Sequence, residues 1–205
     1  FINSAAIRYS EVQLDGNIHL IGTQGVGKST ILRAILFFYN ADTQRLGIPV
    51  EKKSYQDYYF PYADSSIIYE VAREDGWFTV LSYKTMNRIC YRFIASPYRP
   101  DLFIDEEGAP YPSDRIRSVL DKNGIKYSGA ISTYEEYRNI LYGNSDNKRD
   151  YSCYSLMESG SYQNIIRTIQ NVLLNSRLEA DYIKQTIITS LNEADSVIDL
   201  SRYRS

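Results

Sequence analysis

The chain has 205 residues, 43% of them hydrophobic and 23% charged, with a formal net charge of −2. These values are typical of a globular protein with a hydrophobic core, and they exclude wholesale disorder and a strongly basic protein that coats nucleic acid. The sequence contains no apolar run of the roughly 18 residues needed to cross a bilayer, so we predict no membrane partner. Two cysteines without the spacing of metal ligands favour a cytoplasmic, reducing location.

The first third of the chain predicts a strand, a glycine loop and a helix. It opens on Phe1 rather than Met and has no signal-peptide pattern, so we expect it to be part of a longer protein. Ile7–Leu14 alternates between apolar and polar residues, as a half-buried strand does. Ile18–Ile21 is a short apolar run that predicts a buried strand. In Ser29–Tyr39, after the glycines, apolar residues recur at helical spacing.

The middle of the chain predicts an antiparallel meander. The segment 40–63 mixes polar and aromatic residues with prolines, which predicts a long surface segment. Three β-rich runs follow, separated by short polar turns: Ser66–Ala72, Trp77–Tyr83 and Arg88–Ala95. This pattern is typical of antiparallel strands joined by hairpins.

The last part predicts one more hairpin and then helices. Leu102–Asp105 and Ala109–Tyr111 flank an acidic, glycine-containing turn, which favours a hairpin. A helix is predicted over Ser113–Asn123, with its first residue as N-cap. A short helix is predicted over Thr133–Leu141, again with its first residue as N-cap. Helical spacing resumes over Ser161–Leu191.

The glycine loop matches the P-loop pattern G-x-x-x-x-G-K-[ST] without a gap. The predicted cofactor-binding residues are the motif and the residue after it: Gly22, Thr23, Gln24, Gly25, Val26, Gly27, Lys28, Ser29 and Thr30. Glycines let the backbone turn its N–H groups toward phosphate oxygens, and the following helix presents the positive end of its dipole. We expect Lys28 to act in catalysis by stabilising the β- and γ-phosphates, and Ser29 to be the metal ligand that binds Mg²⁺.

A chance match in a flexible turn is the alternative explanation of this motif. Ordinary residue frequencies produce such a match in about one chain of this length in a hundred. An apolar strand and an amphipathic helix flank the motif where a P-loop requires them, so we predict binding of ATP with Mg²⁺.

The acidic half of an ATPase site is harder to find. A hydrolytic P-loop protein also needs a carboxylate at the end of an apolar strand to hold Mg²⁺. Asp105 and Glu106 end such a run, but Gly108 follows closely, so we interpret both acids as part of an exposed turn. Val197–Asp199 is a weaker candidate with too short a strand, and one sequence gives no basis for judging Arg45 as an arginine finger. We therefore predict a nucleotide site without its hydrolytic partner and identify no general base.

An N-terminal P-loop followed by an antiparallel meander, without a second acidic motif, resembles the first half of an SMC/Rad50-type ATPase head. Leu102–Tyr111 and Asp114–Ile125 are similar to a hairpin and the following helix of SMC heads. The resemblance implies an α/β fold: the N-terminal lobe of an ABC-type, SMC-like P-loop NTPase head, with a β-meander and a helical tail. It also implies a P-loop unit over about 1–45, a meander over about 64–112 and a helical part over about 113–205, with the coiled-coil arm and C-terminal lobe absent from the chain.

Within that superfamily the chain more closely resembles the MukB-like branch, which includes condensin-like ATPases of plasmid-restricting (Wadjet-type) systems. The resemblance rests on the order and spacing of three stretches: Ile131–Tyr137, Tyr154–Ser159 and Ile165–Ile169. One departure concerns the metal. Many SMC and ABC proteins place a Mg²⁺-contacting glutamine where Glu158–Gly160 falls here, whereas in this chain the glutamine, Gln163, lies a few residues on.

The resemblance also implies a mode of action. ATP would lie between two heads, with this lobe supplying the P-loop and a partner head supplying signature residues. The implied partners are a second head in a homodimer, or the C-terminal lobe of the same protein, together with DNA. Head closure would be coupled to DNA loading or translocation, in chromosome maintenance or plasmid defence.

Two other classes of function remain open at this point. A self-contained P-loop kinase or GTPase would need its own Mg²⁺ carboxylate and, for a GTPase, the guanine-reading motif N-K-x-D. Asn147–Asp150 reads N-K-R-D but follows no apolar strand, so we interpret it as a polar loop. The third hypothesis is a binding module whose P-loop is vestigial.

Several single residues have ordinary structural explanations. His19 is expected to be packed in the predicted strand, since no second histidine exists to share a metal. Cys90 is expected to be a small core residue. Asn3, Ser4 and Arg8 precede the P-loop, where SMC-type heads contact the base or ribose, and an ordinary edge strand explains them as well.

The tail carries basic residues that could contact DNA: Arg167, Arg177 and Lys184. A solvated helix face is the alternative explanation of these charges. Leu178–Leu191 could lead toward a coiled-coil arm, but it has too few turns for heptads to be counted.

The composition has one unusual feature, because 20 residues are tyrosine. Most of them fall in predicted strands and helices at positions compatible with the core. The exception is a cluster between the P-loop helix and the meander: Tyr55, Tyr58, Tyr59, Phe60 and Tyr62. A half-apolar ring with a polar tip suits a surface covered part of the time, so we predict that this cluster faces the absent lobe or a partner head.

Overall fold

The structure, a computed structural model, describes residues 1–14, 18–40, 54–86, 88–143 and 151–156. All of these residues belong to one compact unit, Phe1–Tyr162. Several predictions lie outside the described residues: the tail helix with its basic residues, Arg45, Asn147–Asp150, Glu158–Gln163 and Val197–Asp199.

The described part of the chain forms an α/β structure around one antiparallel sheet. Its strands are β1 (Ile2–Ser4), β2 (Ile7–Tyr9), β3 (Ser66–Arg73), β4 (Gly76–Thr85) and β5 (Arg88–Ile94). Their order in the sheet is β2-β1-β3-β4-β5. β3, β4 and β5 pair as successive hairpins, which confirms the predicted antiparallel meander.

The short strands at the sheet edge differ from the prediction. The strand predicted over Ile7–Leu14 ends at Tyr9, and β1 was considered only as an edge strand, the alternative explanation of Asn3 and Ser4. β1 joins β2 to the meander, because Ile2 is opposite Tyr9 on one side and Ser66 on the other. A strand of 3 residues is too short to show alternation in a sequence, so only its neighbours in the sheet reveal it.

Four α-helices pack around the sheet in the described part: α1 (Lys28–Asn40), α2 (Tyr55–Tyr59), α3 (Ser113–Lys122) and α4 (Tyr134–Leu141). α1 and α4 confirm two predicted helices, and the Thr133 hydroxyl caps α4 by accepting the Glu136 N–H at 3.2 Å. α3 is also present, but its N-cap is Pro112 rather than Ser113. Among the described helices, none has both the length and the apolar character that a membrane span requires.

Both faces of the sheet are covered by helices. On one face, the ring of Tyr91 in β5 lies 4.4 Å from that of Tyr137 in α4 and 5.9 Å from that of Phe37 in α1. On the opposite face, strand residues share a core with α3 and the turn before it: Leu81, Tyr83, Cys90, Ile94, Phe103, Ile116 and Leu120. Cys90 is therefore a core residue, as predicted. The sheet is the middle layer of three.

The tyrosine-rich segment after α1 is mostly core rather than surface. Tyr55 and Tyr59 lie four residues apart, on one side of α2, and their buried rings stack 4.2 Å apart. Phe60 is buried beside them, whereas Tyr58 is half-buried and Tyr62 is exposed. The predicted interface is therefore wrong for its three buried members, and α2 turns two of them, Tyr55 and Tyr59, toward α1.

Four tyrosine hydroxyls hold α1 by its main-chain carbonyls. They donate hydrogen bonds from Tyr59 to Thr30 (2.6 Å), Tyr69 to Ala34 (2.8 Å), Tyr137 to Phe38 (2.6 Å) and Tyr142 to Tyr39 (2.7 Å). The first three acceptors are spaced by four residues and so share one side of the helix. The last two lie in the final turn, where carbonyls lack intrahelical partners. The rings fill the core while their hydroxyls bond α1, which gives a structural role to these four of the 20 tyrosines.

Candidate phosphate-binding loop

The motif loop Gly22–Gly27 runs directly into the first turn of α1. Gly25 and Gly27 adopt φ angles of 90° and 96°, a region that side chains with a Cβ rarely enter. α1 begins at Lys28, and the carbonyl of Gly27 accepts the first helical hydrogen bond, from Ile31 N–H at 3.1 Å. The two glycines therefore supply the positive φ angles with which the loop turns into the helix N-terminus.

The electrostatics of this helix start favour an anion. The first N–H groups of a helix lack intrahelical partners, and the helix dipole adds a partial positive charge there. The first turn of α1 contains no acidic residue. Positive charge from Lys28 is added at the same position, so the loop, the helix start and the side chain all attract a group such as phosphate.

The Lys28 side chain folds over the loop. Its Nζ donates hydrogen bonds to the carbonyl of Gly22 at 2.5 Å and to that of Thr23 at 2.7 Å. Both hydrogen bonds are exposed to solvent. The ammonium group can therefore leave the two carbonyls to bind water or an anion. An ammonium group on a flexible stem can exchange such partners for phosphate oxygens.

The two residues after Lys28 have different surroundings. Ser29, the predicted Mg²⁺ ligand, is exposed at the helix start. Thr30 is buried, and its hydroxyl lies 3.0 Å from the Tyr58 hydroxyl. The contacts of Tyr58 and Tyr59 with the first turn of α1 were not predicted, because 28 and 29 residues separate these tyrosines from Thr30 and no local pattern links the segments.

The strand predicted before the loop is wrong. Residues 18–21 are described without strand structure, Ile21 is 92% exposed, and His19 is exposed rather than packed. A buried strand needs neighbours that satisfy its N–H and C=O groups, and the described sheet has no strand beside this segment. Several apolar side chains in the motif and close to it in the sequence are exposed: Leu14, Ile18, Ile21, Val26 and Leu32.

Asp105 lies in a turn, as predicted. Its Oδ1 accepts N–H hydrogen bonds from Glu107 at 3.0 Å and from Ala109 at 2.7 Å. Gly108 follows with a φ of 80°, and Glu106 is exposed at the tip. The carboxylate of Asp105 is thus engaged with its own turn. In the described part of the chain, no group of three or more histidine, cysteine, aspartate or glutamate side chains could hold a metal ion.

The residues considered for base or ribose binding belong to the sheet edge. Asn3 donates from Nδ2 to Asp64 Oδ2 at 2.9 Å, and Ser4 is buried in β1. Arg8 is exposed on β2. Arg8 therefore lies on the edge strand β2, whereas Asn3 and Ser4 lie on β1, which is paired on both sides, and Asn3 has a structural partner in Asp64.

The fold and loop define an α/β protein with a P-loop motif at the start of a helix. The chain belongs to the family described as "Protein of unknown function (DUF3584)", whose model matches residues 7–205. No curated protein and no solved structure matches the chain.

Proposed function

We propose that this chain is the ATP-binding half of an SMC-like ATPase head. The observation that carries the proposal is the motif loop Gly22–Ser29 at the start of α1, with the Lys28 ammonium 2.5 and 2.7 Å from loop carbonyls. A sequence that matched the motif by chance would not require positive-φ glycines, a helix N-terminus and a folded-back lysine at the same place. Together these features suit the phosphates of a nucleotide.

Different groups of the loop and first turn would bind different parts of Mg-ATP. Main-chain N–H groups of the loop and first turn would bind phosphate oxygens, Lys28 would neutralise the β- and γ-phosphates, and the Ser29 hydroxyl would hold Mg²⁺. When bound, the metal ion supplies charge stabilisation at the transferred phosphoryl group. The exposure of Ser29 and of the loop fits the access that such a ligand needs.

Two observations favour half of a site rather than a complete one. Asp105, the best acidic candidate among the described residues, is bound to its own turn. The apolar side chains around the loop, including Ile21 at 92% exposure, suit coverage by strands that the described sheet does not supply. We infer that a C-terminal lobe of the same protein, or a second head, provides this cover and the missing catalytic groups.

The wider setting is part of the same proposal. A nucleotide bound between two heads would couple their closure to loading or translocation of DNA in the cytoplasm. Of the residues that motivate the MukB-like and Wadjet-type comparison, the stretches Ile131–Tyr137 and Tyr154–Leu156 are described. Because of this resemblance, we propose chromosome maintenance or plasmid defence as the process that the protein serves.

The half-site proposal predicts that the purified 205-residue chain hydrolyses ATP negligibly, while the full-length protein hydrolyses it with Mg²⁺. The reason is that one lobe holds phosphate but does not orient the attacking water. Phosphate release at matched protein concentrations measures both. Appreciable Mg²⁺-dependent turnover by the chain alone, abolished by Lys28→Ala, would overturn the proposal.

A second prediction concerns the acidic turn. Asp105→Asn is expected to leave ATP turnover by the full-length protein within about twofold of wild type, because the amide oxygen accepts the same two N–H groups. Loss of a carboxylate that holds Mg²⁺ would instead lower turnover by on the order of 100-fold. Steady-state kinetics distinguish these results, and the larger loss at an unchanged melting temperature would assign Asp105 to the metal site.

A further inference from the structure

The first turn of α1 is held by two adjacent tyrosines of α2. The Tyr59 hydroxyl donates to the main-chain carbonyl of Thr30 at 2.6 Å, and the Tyr58 hydroxyl lies 3.0 Å from the Thr30 side-chain hydroxyl. Thr30 directly follows the motif residues Lys28 and Ser29. One residue beside the candidate phosphate site is therefore fixed through both its main chain and its side chain.

α2 is itself anchored, so it can act as a support. The Ser54 hydroxyl accepts the Asp57 N–H at 3.2 Å at the start of the helix. Asp57 also pairs with Lys84 of β4 at 3.0 Å, which ties α2 to the sheet. On its other side, the Tyr55 ring stacks 4.5 Å from Phe37 of α1. The position of Tyr58 and Tyr59 is thus set by the core and the meander.

The Tyr58 contact has a consequence for the loop. A threonine hydroxyl inside a helix tends to donate to a carbonyl three or four residues earlier. For Thr30 those carbonyls belong to Gly27 and Val26, which are residues of the motif loop. The Tyr58 hydroxyl, 3.0 Å away, is a second partner for the Thr30 hydroxyl; either oxygen of this pair can donate, and where Thr30 does, its proton is directed to Tyr58 instead of to the loop carbonyls.

We propose that Tyr58 and Tyr59 are positioning residues of the candidate nucleotide site. They fix the first turn of α1 so that its N–H groups and the Ser29 hydroxyl keep the geometry that a phosphate and its metal ion require. Sites of this kind depend on supporting contacts that hold the binding groups to within about 0.5 Å. The inference rests on the proposed function, since it assigns the two tyrosines to the same site.

The same helix offers a matched control. Tyr137 donates a hydrogen bond of the same length, 2.6 Å, to the carbonyl of Phe38 at the other end of α1. Tyr137→Phe, like Tyr59→Phe, removes a tyrosine hydrogen bond to a main-chain carbonyl of α1, but far from the motif and from a last-turn carbonyl that has no intrahelical partner. A merely structural role predicts that Tyr59→Phe affects ATP binding no more than Tyr137→Phe does.

Titration of the full-length protein with Mg-ATP tests the proposal. Tyr58→Phe and Tyr59→Phe are each expected to raise the Kd for ATP about fivefold to tenfold, as loss of one positioning hydrogen bond would. Tyr137→Phe is expected to lower the melting temperature to a similar degree while leaving the Kd within about twofold. Equal Kd values for wild type, Tyr58→Phe and Tyr59→Phe would overturn the positioning role and leave the proposed function intact.

A double-mutant cycle tests whether Tyr58 acts through Thr30. Thr30→Val removes the hydroxyl with little change of shape and should weaken ATP binding as much as Tyr58→Phe. The double variant should then be no weaker than either single variant, whereas independent effects would multiply. Multiplying effects would contradict the shared contact.

Amide hydrogen exchange gives a readout that needs no nucleotide. Exchange over residues 31–34, the first amides with helical partners, should accelerate in Tyr58→Phe and Tyr59→Phe but not in Tyr137→Phe. Unchanged exchange in the first two variants would contradict the positioning role whether or not ATP binds. A wild-type protein that fails to bind ATP would overturn the proposed function and, with it, the assignment of these tyrosines to a nucleotide site.

Discussion

Lys28→Ala is expected to abolish ATP turnover by the full-length protein, lowering kcat/KM by at least about 100-fold. The Lys28 ammonium is held at the mouth of the loop by the carbonyls of Gly22 and Thr23, 2.5 and 2.7 Å away. It adds a full positive charge where the helix dipole supplies only a partial one. Its removal leaves the β- and γ-phosphates without their principal neutralising side chain.

Two control variants separate this effect from damage to the fold. Lys122→Ala removes an exposed lysine from the last turn of α3 and should leave turnover unchanged. Lys28→Arg keeps the charge but replaces a compact ammonium with a planar fork, so it should restore little activity. Phosphate release and melting temperature are measured together. Wild-type turnover by Lys28→Ala would contradict the role assigned to the motif.

Alkaline pH is expected to unfold the protein as its buried tyrosines are drawn into ionisation. Burial raises the pKa of Tyr55, Tyr69 and Tyr137 well above the ordinary value of 10.0. The unfolded chain therefore loses these protons first. Their contribution to stability is complete below about pH 10 and declines above it, by about 1.4 kcal/mol per tyrosine for each pH unit.

The three tyrosines together imply a loss of about 4 kcal/mol per pH unit, against a typical total stability of about 5–15 kcal/mol. Absorbance at 295 nm reports tyrosinate, and far-ultraviolet circular dichroism reports the fold. We expect exposed tyrosines to ionise first, and the buried ones only as the dichroism is lost. Ionisation of all tyrosines near pH 10 with the fold intact would contradict the buried network.

A variant tests the assignment of the second phase of that titration. Tyr137 is buried and donates to Phe38, so Tyr137→Phe should reduce the second phase. A decrease in the first phase for Tyr137→Phe would show that this hydroxyl is accessible in the folded protein.

Local rules predicted much of the fold. The meander of β3, β4 and β5 follows from β-rich runs separated by short turns, and α4 follows from the cap at Thr133. Asp105 was assigned to a turn because Gly108 follows closely, and Gly108 has the positive φ of 80° that favours glycine. In each case the decisive information lies within a few neighbouring residues.

Other features depend on distant residues and could not be predicted. Ile18–Ile21 has the composition of a buried strand, but a strand also needs partners, and the described sheet places none beside it. Tyr55 and Tyr59 were assigned to a surface because their segment is polar and proline-containing. Their burial results from α1 and the sheet, which lie elsewhere in the sequence.

In the candidate site, too, some residues could be predicted from neighbouring residues and others could not. The motif indicated Lys28 and Ser29 directly, because phosphate binding requires fixed residue types at fixed spacing. Tyr58 and Tyr59 contact the same turn across 28 and 29 residues, and no rule of spacing connects them to Thr30. Residues that position a binding group are found only once the chain has folded.

Direct titration of the full-length protein with Mg-ATP and with Mg-GTP, alongside Lys28→Ala, tests the central claim most directly. The proposed head half predicts saturable binding of ATP, weaker binding of GTP, and loss of ATP binding in Lys28→Ala. Preference for GTP would favour a self-contained GTPase. ATP binding that is unchanged by Lys28→Ala, or no nucleotide binding by the wild-type protein, would contradict the assignment of the motif loop as the phosphate site.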